Sequence, residues 1–231
     1  MTASLQRDPK TLPHAAPFEA LGMVMLCFGW FILASLDTVS NWRADSAVHA
    51  ASSHAFTDTR FVVLLVAELT MGSLALLVLK ARGYPLRTLV PQPSWRGLLA
   101  GASLYLGATL LITLVLPLVP HPSDTPLDRI LAGAHLSWPV VVAVSLANGV
   151  YEEVFLLGYL MRGLRRYGAS TAIGVALLVR LLYHMYQGPL GALSVTLFGI
   201  VLGLYYQRTG RLFPVVAAHV ITDIIGLLYS A

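Results

Sequence analysis

Charge is scarce in this chain of 231 residues: only 11% are Asp, Glu, Lys or Arg, against 57% hydrophobic, with a mean hydropathy of +0.73. That balance excludes an ordinary soluble domain and makes lipid the solvent for most of the chain. Cysteine is almost missing as well. The single Cys27 excludes an intrachain disulfide, and its place inside an apolar run reads as a small buried apolar residue. There is no internal repeat and no low-complexity tract. A concentrated basic face is also lacking, since the net charge of +4 comes from residues scattered between apolar runs. Nucleic acid is therefore not a partner that the sequence points to.

What is present instead is a series of long, continuous apolar runs. They fall at about Phe18 to Leu36, Phe61 to Leu79, Gly97 to Val119, Leu136 to Met161, Ala169 to Tyr186, Leu190 to Tyr206 and Leu212 to Leu228. Each is near the ~20 residues that a helix needs to cross a bilayer. Membrane barrels use short alternating segments, so the pattern predicts an all-α, polytopic helix bundle of about seven transmembrane helices. The segments between runs sort by charge. Arg7 and Lys10 precede the first run, and Lys80, Arg82, Arg87 and Arg96 follow the second. Arg162, Arg165 and Arg166 follow the fourth, and Arg208 and Arg211 the sixth. The other connections carry almost no basic excess, so the positive-inside rule sets the N-terminus inside and the C-terminus outside. Residues 1–16 then form a short basic cytoplasmic tail, and 17–231 a single membrane domain in the lipid bilayer.

Several ionisable residues sit inside those runs: Glu68, Glu152, Glu153, Arg180, His184, His219 and Asp223. A central Asp or Arg costs about 2.5–3.5 kcal/mol on insertion scales, so a group of them must face one another or water. Residues four apart stack on one helix face, which pairs Asn148 with Glu152, Arg180 with His184, and His219 with Asp223. Counted from the expected cytoplasmic ends at ~1.5 Å per residue, Glu152, His184 and His219 lie roughly 15, 22 and 10 Å deep, compatible with one level. Glu152 and Glu153 point about 100° apart, so only one is expected to aim at a shared centre while the other takes a separate partner, with Arg180 the obvious choice. A carboxylate shielded from water is a competent general base, and a neutral imidazole accepts a proton or binds a metal. Those are the requirements of hydrolysis by activated water.

The runs Tyr151-Glu152-Glu153-Val154-Phe155-Leu156-Leu157-Gly158, Arg180-Leu181-Leu182-Tyr183-His184 and His219-Val220-Ile221-Thr222-Asp223 resemble the three ordered motifs of the CPBP intramembrane proteases, also called the CAAX-protease and bacteriocin-processing or Abi family. The resemblance covers about 136–228. It implies a polytopic peptidase, a CAAX-type endopeptidase of metalloprotease type, acting on a membrane-associated peptide or protein. Its commonest setting is the plasma membrane of a bacterium, as a multi-pass protein. It further implies that Glu152 helps His184 activate water, that His219 and Asp223 stabilise the oxyanion or complete a metal site, and that Glu153 supports them. Arg180 and Asn148 are supporting residues. Zinc held by Glu152, His184, His219 and Asp223, or a metal-free glutamate and histidine hydrolysis, both stay open.

Two positions depart from the family pattern, where Leu157 stands for the first motif's Arg and Arg180 for the second motif's Phe. Arg180 is expected to supply from the fifth helix the cation missing from the fourth, paired to Glu153. Two other functions compete: a catalytically lapsed membrane partner, such as an immunity or scaffold protein, and a proton-coupled carrier built on the same buried groups. Outside the motifs, Glu68 reads first as a structural ion pair or a bond to a neighbouring helix, and second as a residue lining the cavity. Glu19 reads as a carboxylate at a helix start, and the segment from Lys80 to Arg96, with Tyr84 and Trp95, as an interfacial stretch. His14, His49, His54, His121 and His135 read as surface residues. Gln187-Gly188-Pro189 reads as an outer bend.

Overall fold

The computed structural model describes residues 16–44, 56–120, 126, 130, 131, 134 and 136–228. Among these there is no β-strand, and the chain is a bundle of helices: α1 (Pro17–Ala44), α2 (Asp58–Ala81), α3 (Trp95–Val115), α4 (Trp138–Glu153), α5 (Ala169–His184), α6 (Gly188–Thr209) and α7 (Leu212–Leu228). Each apolar run of the sequence falls on one of these helices. Helix α1 continues past the expected end at Leu36 to Ala44. Residues 1–15 of the expected basic tail and the five histidines of tail and loops lie outside the described residues.

Five apolar stretches are long enough to cross a bilayer, and α7 is a shorter apolar helix of 17 residues. One of the five is the 41-residue run Ala169–Thr209, which joins the fifth and sixth expected spans. It folds back on itself. Gly188, at φ +77°, takes a backbone conformation that L side chains resist, and Pro189 then opens α6 at its first turn. Gly199 packs against Leu177 and Gly203 approaches Ile173, pairs placed symmetrically about the bend. The sequence's reading of this bend as a turn thus has a physical basis, and α5 and α6 form an antiparallel hairpin.

Where helices touch, small residues set the distance. A Cβ on Gly101 of α3 would lie 2.7 Å from the Cβ of Ala217 and 2.8 Å from the Pro214 carbonyl oxygen of α7. With Gly97 one turn earlier, this is the small-xxx-small arrangement by which membrane helices approach closely when lipid supplies no hydrophobic drive between them. The faces turned away from partners are apolar and open: Trp30 and Leu33 on α1, Val63 and Leu77 on α2, Leu106 and Leu110 on α3. On a membrane protein such faces meet lipid, so their exposure costs nothing.

Helix α4 is the central element. Beyond Glu153 the chain stays helical but widens into a π-helical stretch, Val154–Met161, in which every residue is buried. π-Helical turns within α-helices recur at functional sites, because the extra residue per turn re-aims the side chains around it. Helix α1 is locked to this centre by aromatic packing and by the Tyr151 hydroxyl, which donates to the Cys27 carbonyl. Cys27 itself is fully buried, as its apolar setting in the sequence predicts.

Candidate active site

Three helices place polar side chains around the middle of the bundle. Glu152 and Glu153 end the regular part of α4, Arg180 and His184 share one face of α5, and His219 and Asp223 are one turn apart on α7. Helix α7 reaches α4 so closely because Gly149 lies between them. A Cβ there would stand 2.8 Å from Val220 Cγ2 and 3.6 Å from His219 Cβ. The close approach carries the imidazole of His219 to the carboxylates one turn further along α4.

His219 is the hub. Its Nδ1 is 2.6 Å from Glu153 Oε1, and because a carboxylate only accepts, the ring donates. Its Nε2 faces Glu152 Oε2 at 3.9 Å, Asp223 Oδ1 at 3.5 Å and Asn148 Nδ2 at 3.5 Å. Asn148 also donates to Asp223 Oδ2 at 2.9 Å, tying the lower turn of α4 to α7. Arg180 closes the other side, with Nη2 2.5 Å from Glu153 Oε1 and Nη1 3.9 Å from Glu152 Oε2. The cation expected to replace the missing motif arginine is therefore paired with Glu153. Leu157, at the vacated position, lines the same small internal gap as Arg180.

The two glutamates do not serve separate partners, contrary to the expectation from their helical phase. Both flank the one imidazole, and both lie within ion-pair range of Arg180. The reason is the long glutamate side chain, which swings an oxygen through most of the angular offset that the helix imposes at Cα. Glu153 is completely buried and Arg180 and His219 nearly so, which puts this ion network behind the wall of the site rather than in it.

The wall belongs to a cavity of about 350 Å³, onto which Glu152, His184, Asp223, Asn148 and Tyr183 open. The Tyr183 hydroxyl donates to Glu152 Oε2 and leaves the carboxylate one hydrogen-bonded and one freer oxygen. Its ring is stacked on Phe28 of α1 at a centroid distance of 5.2 Å, which fixes the hydroxyl's direction. His184 Nδ1 lies 3.0 Å from the Arg180 carbonyl oxygen, one turn back on α5. A carbonyl accepts only, so Nδ1 carries the proton, and in the neutral ring Nε2 keeps its lone pair.

Every site residue expected from the sequence is therefore at or beside this cavity, in two groups. Glu152, His184, Asp223 and Asn148 reach the wall, whereas Glu153, Arg180 and His219 form the ion network behind Glu152. Sequence reasoning gave no role to Tyr183, whose only signal was a phenol beside His184 in an apolar helix. For Glu68, the second of its two sequence readings, lining the cavity, is the one the structure supports, rather than the structural ion pair or interhelical bond. The Oε2 of Glu68 is enclosed with no hydrogen-bond partner among the described residues, and the side chain lines the cavity. Glu19 keeps its expected place at the start of α1, accepting from the Ala16 backbone and from Arg82.

The expected metal set fares differently. Glu152, Glu153 and His219 bring ligand atoms within 4.8 Å of one another, a nitrogen and oxygen group that could hold an ion such as zinc. His184 and Asp223 are not in that group, and Glu153 takes a place the sequence did not give it.

Residues 134–225 match the family model of the Type II CAAX prenyl endopeptidase Rce1-like proteins. The matched segment contains all three motifs and lies over the part of the chain singled out by them, so the resemblance to the CAAX-protease family holds. Neither the curated proteins nor the solved structures offer a match to this chain.

Proposed function

We propose that this protein is an intramembrane endopeptidase that hydrolyses a membrane-associated peptide or protein with water activated at Glu152 and His184. One observation carries the reading: Glu152 and His184, from two helices, open on one cavity within an apolar bundle, with Arg180 and His219 both bonded to Glu153 behind Glu152. A network held together only for stability would have no need of a cavity of about 350 Å³ beside one of its carboxylates.

Glu152 is the general base. It takes a proton from a cavity water while the water oxygen forms a bond to the carbonyl carbon of the scissile peptide. His184 Nε2, free to accept, orients that water. The developing oxyanion is met by the amide donor of Asn148, which lines the cavity. When the C–N bond breaks, the proton held by Glu152 passes to the departing amine, and the carboxylate is restored. Arg180 and Glu153 hold His219 and Glu152 in place and touch no substrate. If a metal is bound, Glu152, Glu153 and His219 would hold it, and it would supply Lewis-acid polarisation of water or carbonyl. The name of the matched family makes prenylated carboxyl-terminal peptides the first substrates to try.

The experiment is cleavage of a peptide library, prenylated carboxyl-terminal peptides included, by purified protein in liposomes beside Glu152→Gln and His184→Ala. The reading predicts cleavage by the wild type and its loss in both variants, with metal content measured on the same samples. Cleavage that survives Glu152→Gln overturns the mechanism. Ion flux without any cleavage would instead favour a carrier.

A further inference from the structure

The cavity wall is acidic. Glu68 of α2, Glu152 of α4 and Asp223 of α7 line it, and among its described lining residues there is no Lys or Arg, His184 being the sole basic group. The arginine and the second imidazole of the site, Arg180 and His219, are both bonded to Glu153 behind the wall. Two of the three wall carboxylates have donors: Tyr183 serves Glu152 and Asn148 serves Asp223. Glu68 is the exception, only 3% exposed, with Oε2 lacking any partner among the described residues. A buried carboxylate oxygen left without a donor is unfavourable, and a donor arriving in the cavity would offset that penalty.

The position of Glu68 says where that donor comes from. The side chain lines the cavity and also a second, largely apolar groove of about 530 Å³ between α2 and α4, whose lining includes the exposed Leu69, Leu146 and Val150, with Tyr151 likewise common to both. A peptide lying partly in the groove and partly in the cavity must pass Glu68.

We propose that Glu68 is a specificity-determining residue that accepts a cationic side chain, an ammonium or guanidinium, of the peptide substrate close to the bond being cleaved. The inference rests on the endopeptidase reading for its word "substrate", but the recognition is a property of the cavity and can be measured without turnover. An acidic chamber attracts a cation and repels a carboxylate, so the same wall disfavours acidic residues at that position.

The test is binding of fluorescein-labelled, amidated nonapeptides in which Lys, Gln or Glu is scanned through each position. The protein is the full chain in lipid nanodiscs carrying Glu152→Gln to prevent cleavage, with Glu68 and Asp223 still in the wall. At one position the Lys peptide should bind about tenfold more tightly than the Gln peptide, and the Glu peptide more weakly than either. Adding Glu68→Gln should bring Lys and Gln to within about twofold, while Glu68→Asp keeps most of the preference. No Lys preference before Glu68 is changed overturns the proposal without needing any Glu68 variant to fold. A preference that survives Glu68→Gln overturns it too. Wild-type cleavage of the same peptides is followed in parallel: a Lys preference without cleavage would sink the peptidase reading and leave the role of Glu68 standing.

Discussion

Exchanging the cation between two helices tests the most unusual feature of this site. In the structure Arg180 reaches Glu153 from α5 at 2.5 Å, and Leu157, four residues beyond Glu153 on α4, lines the same gap. Glu153 is 0% and Arg180 3% exposed, so Arg180→Leu strands a buried carboxylate. Breaking a buried pair from one side costs about 3–5 kcal/mol, a large part of the roughly 5–15 kcal/mol that holds a domain folded. Leu157→Arg alone buries a second cation against the first and should cost a similar amount. Combined, the two changes leave one arginine beside Glu153, now from α4, with leucine filling the space on α5. The double variant should therefore be more stable than the sum of the singles by about 2 kcal/mol, a coupling of the size seen for residues in one ion network. Unfolding in mixed micelles by increasing ionic detergent gives the four free energies, and peptide cleavage by the same four proteins gives the functional counterpart. Additivity within about 0.5 kcal/mol, or a double variant no more active than the worse single, would refute the exchange.

Three further outcomes follow from the same geometry. Gly149→Val forces α7 away from α4, where even a Cβ would stand 2.8 Å from Val220, and should cost about 1–3 kcal/mol and most of the activity, read by melting and by cleavage rate. Tyr183→Phe removes the hydroxyl that holds Glu152 but keeps the ring on Phe28, so stability should fall by about 1.5–3 kcal/mol at most while kcat falls about tenfold with KM little changed. An unchanged kcat would show that Tyr183 does not orient the base. For topology, reporters placed in the segment from Arg82 to Arg96 should mark the cytoplasm, and reporters after Leu228 the opposite side. The reverse labelling would contradict the orientation drawn from the basic loops.

Much of the bundle was legible because lipid leaves the sequence few choices. A run of about twenty apolar residues must be a helix, since nothing else satisfies its backbone in hydrocarbon. Ionisable residues inside such runs had to meet each other, and Glu153 and Arg180 do. What the sequence hid depends on three-dimensional detail. The π-helical stretch after Glu153 leaves no mark in composition, because its residues are as apolar as their neighbours. The sharing of His219 by both glutamates needs side-chain reach, which helical phase at Cα does not convey. Glu68 lay in a helix with no motif, and only the placement of α2 beside α4 brings it to the cavity wall. Gly149 looked like any helical glycine until α7 was laid across it.

The central claim, that Glu152 removes a proton from water in this cavity, is tested most directly by single-turnover cleavage of the best peptide substrate with wild type and Glu152→Gln matched for melting temperature. The account predicts a fall of at least about a hundredfold in the cleavage rate with peptide affinity kept. A Glu152→Gln protein that cleaves within about threefold of wild type would contradict it.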